Sequence, residues 1–301
     1  MRDVYERLNQ HYFKTLTKNF TADTHVESLT VLARDNYQIP IRVYRPASST
    51  TPGPVIINIH GGAKVMGTFT DEEAHCRIFA HKLNATCINI EYRLAPEHKS
   101  PVALYDCWDV VQWTATHAAA ELNGDPRKGF IIHGSSAGAQ MVDVIGHLAR
   151  DEHLYPPLTG LVEICTSSCQ YNTIPSEYAS EFLSWDQDIK GGIPREGLLR
   201  FYELTGVAED PAHRFNSPLL WPSGHKGLPS VFLQVHGRDF VRDSALIYQR
   251  VLKEEGVDVR MKVYPGVPHG FNVMFCETDV AKEHEKDTLE GLRWLLARTE
   301  K

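Results

Sequence analysis

The sequence predicts an α/β fold in which a mostly parallel central sheet is flanked by helices. From about Val55 onward, short apolar runs alternate with longer segments of helical periodicity, a pattern typical of a parallel sheet covered on both faces. Within this pattern, residues 134–138 (Gly-Ser-Ser-Ala-Gly) follow an apolar run and precede a helical one. We therefore expect a strand to turn sharply into a helix at Ser136.

Two elements are predicted before the alternating part. Residues up to about 19 place apolar side chains on one side at helical spacing, which indicates an amphipathic helix. Residues 25–34 and 38–44 alternate apolar and polar side chains, and the polar residues 35–36 lie between them. This pattern predicts a hairpin at an edge of the sheet.

The alternating part predicts six strands and five helices. The strands are expected at residues 55–59, 86–91, 130–133, 160–164, 230–236 and 260–264. The helices are expected near residues 72–83, 101–120, 137–150, 243–255 and 281–297. Because the loops after parallel strands collect at one edge of a sheet, residues that follow these strands are expected to meet.

One segment interrupts the alternation. Residues 170–228 contain two helix-like pieces, 176–185 and 195–204, and an irregular stretch rich in Pro, His and Trp. An excursion of this length is typical of a lid or cap. We expect a single domain over residues 1–301, with a helical cap formed by about 1–20 and 170–228. The cap is expected to cover Ser136 and the sharp turn that holds it, which we call the elbow. Aromatic residues of the insertion predict an apolar pocket, or alternatively the core of the cap itself: Tyr178, Phe182, Trp185, Phe201, Tyr202 and Trp221.

Composition limits the partners. The formal charge is −7, from 31 Lys and Arg against 38 Asp and Glu, so no surface for nucleic acid or anionic lipid is predicted. The charged N-terminus lacks an apolar signal segment and no stretch is long enough to span a bilayer, so we expect a cytoplasmic protein without a membrane partner.

The cysteines and histidines give no sign of a metal site. Six cysteines are spread thinly along the chain, which favours reduced, buried thiols over disulfides. Cys165 and Cys169 form the one close pair, and they lack the second half of a zinc site. No H-E-x-x-H or similar spacing occurs, so we expect no metal.

Ser136 is the predicted nucleophile. In a G-x-S-x-G turn the serine lies at a strand-to-helix corner, and glycines flank it because a Cβ there would collide with neighbouring backbone. The corner also places the serine at a helix N-terminus, whose unpaired N–H groups favour developing negative charge. A flexible Ser/Gly loop is the alternative, but the strand and helix patterns on either side favour the elbow.

A serine hydroxyl needs an adjacent base, normally a histidine oriented by a carboxylate. Asp239 follows the fifth predicted strand and His269 follows the sixth, so both fall at the same sheet edge as the serine. The chain order Ser, Asp, His is that of α/β-hydrolases. Asp243 is a rival carboxylate better suited to begin a helix, and His236 is a rival base at a strand end, where a structural role is favoured.

The run from His60 to Ala63 (His-Gly-Gly-Ala) follows the first central strand. Acyl transfer builds a tetrahedral oxyanion, which needs backbone donors about 2.7–3.1 Å away. Gly61 and Gly62 can present bare N–H groups there, and the N–H of Ala137, next to the nucleophile, can supply a third. The run could instead form only a tight turn. However, the run occurs together with the elbow and the Asp/His pair, and this combination favours an oxyanion hole.

Four segments together resemble the hormone-sensitive-lipase-like branch of α/β-hydrolases. They are the His-Gly-Gly run, residues 92–98 (Tyr-Arg-Leu-Ala-Pro-Glu-His), the elbow at 134–138, and residues 268–271 (Pro-His-Gly-Phe). The resemblance implies an α/β-hydrolase fold, an ester substrate and no cofactor. It also implies Ser136 as nucleophile, Asp239 as orienting acid and His269 as base, whereas residues 92–98 are structural in that family.

The chain departs from the family's pattern at several positions. Ala63 stands where a third glycine is usual; it keeps its N–H, so donation survives while the space above the loop shrinks. Ser135 stands where an acid is common, which alters hydrogen bonding around the elbow. Ala139 and Gln140 replace small residues of the pattern. The N-terminal arm is short for the family, so the cap and its acyl pocket are not carried over.

The sequence therefore predicts a serine hydrolase that cleaves a carboxylic ester of a small or medium-sized apolar acyl substrate through an acyl-enzyme. If an alcohol resolved the same intermediate, the product would be a transferred acyl group or a lactone, and a thioester could replace the ester. A small-ligand receptor is the third interpretation, since the family contains receptors that have lost the histidine; the presence of His269 disfavours it. An exposed last strand or helix could pair two copies, so a homodimer is left open.

Overall fold

The structure is a computed structural model that describes residues 2–18, 24–49, 51–187 and 193–299. Eight strands form its sheet: β1 (Thr24–Leu32), β2 (Gln38–Pro46), β3 (Val55–Ile59), β4 (Thr86–Ile90), β5 (Phe130–Ser135), β6 (Gly160–Ile164), β7 (Ser230–Arg238) and β8 (Val259–Pro268). Their order across the sheet is β1-β2-β4-β3-β5-β6-β7-β8. The pairs β1–β2 and β2–β4 are antiparallel and the other five pairs are parallel, which confirms the predicted mostly parallel sheet.

Eight α-helices are found in the described part of the chain. They are α1 (Arg2–Thr17), α2 (Glu73–Leu83), α3 (Val102–Glu121), α4 (Ala137–Asp151), α5 (Arg195–Thr205), α6 (Arg242–Glu254), α7 (Phe271–Met274) and α8 (Asp279–Thr299). None of the described helices combines the length and apolar character needed to cross a bilayer.

Helices cover both faces of the sheet. Ile57 of β3 packs in a cluster with α3, α4 and α6, whereas its neighbour Ile56 packs in a second cluster with α2 and α8. Both isoleucines are fully buried. Successive side chains of a strand point to opposite faces, so a strand covered on both sides must be apolar throughout. This double burial explains the apolar runs in the sequence.

The N-terminal strands form the predicted hairpin. β1 pairs with β2 in antiparallel register from Thr24 opposite Pro46 to Leu32 opposite Gln38, and β1 lies at the edge of the sheet. Asn36 in the connecting turn has a φ of +67°, a left-handed conformation that asparagine tolerates better than most residues. The hairpin therefore continues the parallel sheet with two antiparallel strands.

The insertion contains less helix than the sequence predicts. α5 matches the helix expected at 195–204, but 176–185 forms only two short 3-10 turns, so that expectation was wrong. The N–H groups of Leu183 and Ser184 donate to the Asp243 carboxylate at 2.7 and 2.6 Å instead of to carbonyl groups of a helix. This anchor on α6 replaces the hydrogen bonds of a regular helix.

The expected cap segments differ in where they pack. Residues 1, 19, 20 and 188–192 of these segments lie outside the described residues. In the middle of the insertion, Leu198 and Phe201 of α5 pack against the loop after β3. On either side of α5, other residues of the insertion pack in or against the large cluster that contains Ile57, among them Tyr178, Phe215 and Trp221.

A buried polar cluster fixes α1 to the body of the domain. His75 of α2 contacts Glu72 through Nδ1 and Glu285 of α8 through Nε2, both at 2.7 Å. The Tyr12 hydroxyl of α1 donates to Glu285 at 2.6 Å. Burial lowers the pKa of His75, but the carboxylates of Glu285 and Glu72 outweigh this effect and raise it to about 10. At neutral pH the protonated ring of His75 therefore links α2 to α8, and Tyr12 of α1 binds to the same buried cluster.

Candidate active site

Four functional segments meet at the carboxyl edge of the parallel strands. Gly61 follows β3, Ser136 follows β5, Asp239 follows β7 and His269 follows β8. β7 and β8 are both longer than predicted, so Asp239 and His269 come directly after the last paired residues. Parallel strands end at one edge of the sheet, which brings these distant parts of the sequence together.

The turn between β5 and α4 holds Ser136 in a conformation that residues with a Cβ seldom adopt. Its φ is 55° and its ψ is −117°. The Ser136 N–H donates to the Ile164 carbonyl of β6 at 2.8 Å, which fixes the corner against the neighbouring strand. A Cβ on Gly138 would lie 2.1 Å from the Ile59 carbonyl oxygen. Only glycine lets α4 begin this close to β3, so the elbow predicted from the motif is present.

The side chains of the predicted triad form one hydrogen-bonded chain. The Ser136 Oγ lies 2.8 Å from His269 Nε2, and His269 Nδ1 lies 2.7 Å from Asp239 Oδ2. The second carboxylate oxygen of Asp239 accepts the N–H of Val241 at 3.2 Å. In the tautomer that donates its Nδ1–H to Asp239, the histidine leaves Nε2 free to accept the serine proton. This is the geometry required for base-activated nucleophilic attack.

The histidine is held in an environment that favours its protonated form. Burial lowers the pKa of His269, but the neighbouring Asp239 carboxylate and, after it, the Cys165 side chain together raise it more, so the pKa lies well above its ordinary value. The Asp239 side chain is 1% exposed and the His269 side chain 11% exposed. A nearly dry carboxylate therefore stabilises the imidazolium that forms when the serine gives up its proton.

The two rival residues have other partners. The Asp243 carboxylate accepts the backbone N–H groups of the insertion and pairs with Arg242 at 2.7 Å, which ties the insertion to α6. His236 is fully buried, with its Nδ1 3.9 Å from Asp239 and its Nε2 3.5 Å from His284. Burial and the neighbouring His284 lower the pKa of His236 well below its ordinary value, so it is neutral. Neither rival is hydrogen-bonded to Ser136.

The loop after β3 lies against the elbow. The position of a Cβ on Gly61 is 3.5 Å from the Ser136 Cβ. The Gly61 carbonyl accepts a hydrogen bond from the buried ring of His60 at 2.8 Å. Because the C=O and N–H of a trans peptide point in opposite directions, the N–H of Gly62 is turned to the other side of the loop. Together with Ala137 at the start of α4, these glycines are the predicted oxyanion donors.

Buried contacts fix the shape of this loop. Tyr92 stacks on the His60 ring at 4.1 Å and donates its hydroxyl to the His60 carbonyl at 2.8 Å, so the first residue of the predicted structural segment braces the loop from behind. Ala63 has a φ of +54°, a conformation that costs alanine more than the glycine usual in the family. Lys64 donates to Gln140 Oε1 at 2.7 Å, which ties the loop to α4. Gln140, one of the departures from the family's pattern, thus has a bracing role.

An apolar surface extends from His269 to α5 and the neighbouring part of the insertion. Five buried residues form a cluster that joins the loop after β3 to α5: Val65, Met66, Ala95, Leu198 and Phe201. Aromatic rings extend it, since Phe240 lies 5.0 Å from the His269 ring and Trp185 lies 6.2 Å from Phe240. Trp185 in turn stacks on Tyr171 at 4.2 Å. Apolar side chains therefore border the space next to the nucleophile, which suits an acyl or aromatic group of a substrate.

The other predicted pocket residues divide into two groups. Tyr202 lies 6.2 Å from Trp185 and belongs to the aromatic surface. Tyr178, Phe182 and Trp221 pack instead on the large core cluster of the sheet face. An aromatic lining thus stays a prediction for the residues nearest α5, and the alternative of a structural core holds for the rest.

Three residues near the triad were not predicted. Tyr5 of α1 carries its hydroxyl 3.6 Å from the Cβ position of Gly61. Phe240 packs on His269, and Cys165 places its Sγ 4.0 Å from His269 Nε2. Cys165 and Phe240 each follow within two residues of a strand end at the functional edge, and that position is the signal that could have identified them. Tyr5 had no such signal, because its approach depends on how α1 docks.

Comparisons with known proteins give the same fold and chemistry. The model of the alpha/beta hydrolase fold family matches residues 56–273. An AB hydrolase superfamily protein of Schizosaccharomyces pombe is 31% identical over 93% of this chain and 82% of that protein. The versiconal hemiacetal acetate esterase of Dothistroma septosporum is 29% identical over 90% and 82%. The crystal structure of vibralactone cyclase has a TM-score of 0.94 and 32% identity, and the match covers 100% of this chain and 89% of that one.

Proposed function

The chain belongs to the alpha/beta hydrolase fold family, and from this premise we propose that it hydrolyses carboxylic esters through an acyl-enzyme on Ser136. Esterases among its relatives confirm the prediction of a carboxylic-ester hydrolase. The observation that carries the catalytic assignment is the chain of contacts from Ser136 Oγ to His269 Nε2 at 2.8 Å and from His269 Nδ1 to Asp239 at 2.7 Å.

The reaction has two halves. Ser136 Oγ attacks the ester carbonyl carbon while His269 Nε2 takes the hydroxyl proton, and the N–H groups of Gly61, Gly62 and Ala137 bind the oxyanion. Collapse of the tetrahedral intermediate breaks the bond to the alcohol, which leaves with the proton from His269. Water then attacks the acyl-enzyme, gives its proton to the histidine, and releases the acid as the proton returns to the serine.

The nucleophile is tested by Ser136→Ala. The substitution removes the attacking oxygen, so kcat for an activated ester is expected to fall by about 10⁴–10⁶-fold. The matched control is Ser135→Ala, which removes a neighbouring hydroxyl from the same turn and leaves the triad in place. Purified proteins are compared on p-nitrophenyl acetate, with labelling by a fluorophosphonate probe as a second readout. Equal turnover of wild type and Ser136→Ala would refute the assignment of the nucleophile, and failure of the probe to label Ser136 in the folded protein would reopen the receptor interpretation.

The substrate is proposed to be an ester with a small or medium-sized apolar acyl group. Support comes from the apolar and aromatic surface between the loop after β3 and α5, and from the acetate ester named for one relative. We propose that α1 and the insertion, within the expected limits 1–20 and 170–228, form the cap over this surface. A thioester of the same acyl group would present the same carbonyl carbon to Ser136.

Lactone formation is the second candidate function. The similarity to vibralactone cyclase extends over the whole chain, and that protein's name identifies it as a lactone cyclase. In such a reaction a hydroxyl group of the acyl chain, instead of water, would attack the acyl-enzyme and pass its proton to His269. Product analysis with a hydroxy-acyl ester distinguishes the two. Free acid as the sole product would exclude cyclisation, and a lactone formed only with intact Ser136 would establish it.

Location and assembly are further parts of the proposal. All six cysteines are free and buried, which suits the reducing cytoplasm. β8 is an edge strand on which Val263 is 43% exposed, and pairing of two copies through it would give a homodimer. Light scattering of the purified protein measures this state directly.

A further inference from the structure

A thiol that the proposed reaction does not use lies beside the nitrogen that takes the serine proton. Cys165 is the first residue after β6, and its Sγ is 4.0 Å from His269 Nε2. Its N–H donates to the Gln234 carbonyl of β7 at 2.9 Å, which fixes the residue at the functional edge in a left-handed conformation with φ of +46°. Ligand atoms of Cys165, Asp239 and His269 all lie within 4.8 Å of one another.

We propose that Cys165 Sγ and His269 Nε2 form a site for a thiophilic divalent cation, of which Zn²⁺ is the test case, and that its occupation stops catalysis. Zn²⁺ binds sulfur at about 2.3 Å and imidazole nitrogen at about 2.0–2.1 Å. Two such bonds at a tetrahedral angle place sulfur and nitrogen about 3.5 Å apart. The observed separation is 4.0 Å, so a shift of roughly half an ångström completes the site.

The surrounding groups complete the coordination. Asp239 accepts the Nδ1–H of His269 at 2.7 Å, which is the outer carboxylate that zinc-binding histidines commonly have. Ser136 Oγ is hydrogen-bonded to Nε2 at 2.8 Å, so the ion takes the place of this hydrogen bond and bound water fills the remaining positions. The thiolate and the Asp239 carboxylate together balance the charge of the ion, which matters where both side chains are almost fully buried.

The site has an entry path and no competitor among the described residues. Ser136 and His269 are only partly buried, so the opening that admits an ester also admits a hydrated ion. In the part of the chain that the structure describes, no other group of three or more His, Cys, Asp and Glu side chains converges in this way. None of the remaining cysteines belongs to such a group of described residues, which makes them suitable controls.

Binding exchanges protons for the metal. The S–H bond of Cys165 breaks, and where His269 is protonated its Nε2–H bond breaks as well. These protons pass to water, and the sulfur and the Nε2 lone pair each bond to Zn²⁺ without any change of oxidation state. Nε2 can then no longer accept the Ser136 proton. Because protons compete for both ligands, binding weakens as the pH falls. The inhibition rests on the proposed esterase function, whereas the binding does not.

Binding is tested first in a protein that cannot turn over. Calorimetric titration of ZnCl₂ into Ser136→Ala is expected to show one ion per chain. Adding Cys165→Ala should weaken binding by about tenfold or more, since loss of even an outer partner costs about 10–100-fold. Adding Cys169→Ala instead, which removes a buried thiol outside the cluster, should leave the affinity unchanged. Equal affinity with and without Cys165 would overturn the site.

Inhibition is tested in the protein with intact Ser136. ZnCl₂ should suppress turnover of an uncharged activated ester, a chelator should restore it, and Cys165→Ser should need about tenfold more Zn²⁺ for the same fractional loss. Co²⁺ should give a thiolate charge-transfer band that Cys165→Ser lacks. If Zn²⁺ binding depended on Cys165 but the protein with intact Ser136 showed no esterase activity, the metal site would be supported and the proposed function would be rejected. Equal zinc sensitivity of both proteins would reject the inhibitory role.

Discussion

Gly138 determines how closely the nucleophile helix approaches β3. A Cβ at this position would lie 2.1 Å from the Ile59 carbonyl oxygen, so Gly138→Ala must push α4 away from the strand. We expect a loss of about 1–3 kcal/mol in the free energy of unfolding, as for other overpacked positions, and a fall in kcat because Ser136 moves with the helix. Urea unfolding and ester turnover measure the two effects.

The matched control for this substitution is Gly197→Ala in α5. Its nearest neighbour would be Ile193 Cγ2 at 3.6 Å, an ordinary contact. Alanine in a helix interior is favoured over glycine by about 0.5–1 kcal/mol, so this variant should be at least as stable as the wild type. If Gly138→Ala behaved like Gly197→Ala, the elbow would not be clamped against β3.

The pH dependence of hydrolysis follows from the Asp239–His269 pair. The general base must be neutral, and the Asp239 carboxylate raises the pKa of His269 well above its ordinary value of about 6.5 after the opposing effect of burial. We therefore expect kcat/KM to fall as the pH drops through this raised pKa, with the acid limb of the profile above about 6.5.

Asp239→Asn tests the origin of that limb. An asparagine keeps the shape but not the charge, so the limb should move to lower pH and kcat should fall by about 10⁴-fold through loss of the correct tautomer. The control is Asp243→Asn, whose side chain anchors the insertion and does not contact the histidine. An acid limb at the same pH in wild type and Asp239→Asn would show that another group controls it.

The sequence was sufficient to predict that Ser136, Asp239 and His269 meet, but not to predict the other residues around them. Ser136, Asp239 and His269 each follow a strand of recognisable pattern, and parallel strands bring such residues to one edge. The roles of Cys165 and Tyr5 depend on distances of a few ångströms between segments far apart in the chain. No local pattern encodes those distances, since they result from how helices and strands pack.

At the scale of elements, His75 controls how α1 is attached. His75→Gln leaves Glu72 and Glu285 facing each other without a buried cation, and breaking such a pair typically costs about 3–5 kcal/mol. The folded pKa of about 10 lies above the unfolded value of about 6.5. The stabilisation is therefore complete below about pH 6.5 and is lost as the pH rises through about 10.

Unfolding in urea over a pH series measures this contribution. The difference in the free energy of unfolding between wild type and His75→Gln should be largest below about pH 6.5 and should narrow as the pH rises toward about 10. His25→Gln is the control, since His25 is an exposed residue of β1 and its loss should change stability little at any pH. If the difference in the free energy of unfolding stayed constant over the whole pH range, His75 would act through packing and not through its charge.

The insertion shows where local patterns fail. Residues 176–185 have a helix-like composition, yet Leu183 and Ser184 give their N–H groups to the Asp243 carboxylate. A hydrogen bond to a charged acceptor is stronger than one to a carbonyl. The Asp243 carboxylate therefore binds these N–H groups, and the helix that the local sequence favours does not form. α5, which has no such competitor on its backbone, forms as its periodicity predicts.

At the scale of the whole molecule, the proposed catalytic residues and the proposed cap lie on different parts of the fold. Ser136, Asp239, His269 and the loop after β3 lie at the sheet edge, on strands that are buried on two faces. Phe201 and Leu198 of α5, in the proposed cap, pack on that loop and are proposed to contact the acyl group. A change in the cap should therefore alter which acyl group reacts while the catalytic geometry remains.

Phe201→Ala tests this division of roles. Phe201 is 7% exposed and packs with Val65 and Met66 of the loop after β3, so its truncation opens space beside the nucleophile. The ratio of kcat/KM for octanoate to acetate p-nitrophenyl esters should rise by about tenfold or more, since one methylene in a pocket is worth about 10–200-fold. Tyr178→Ala, which removes an aromatic ring of the insertion that packs on the sheet-face core, should leave the ratio unchanged. If both variants kept the wild-type ratio, the acyl group would have to bind away from α5, and the cap would serve only to exclude water.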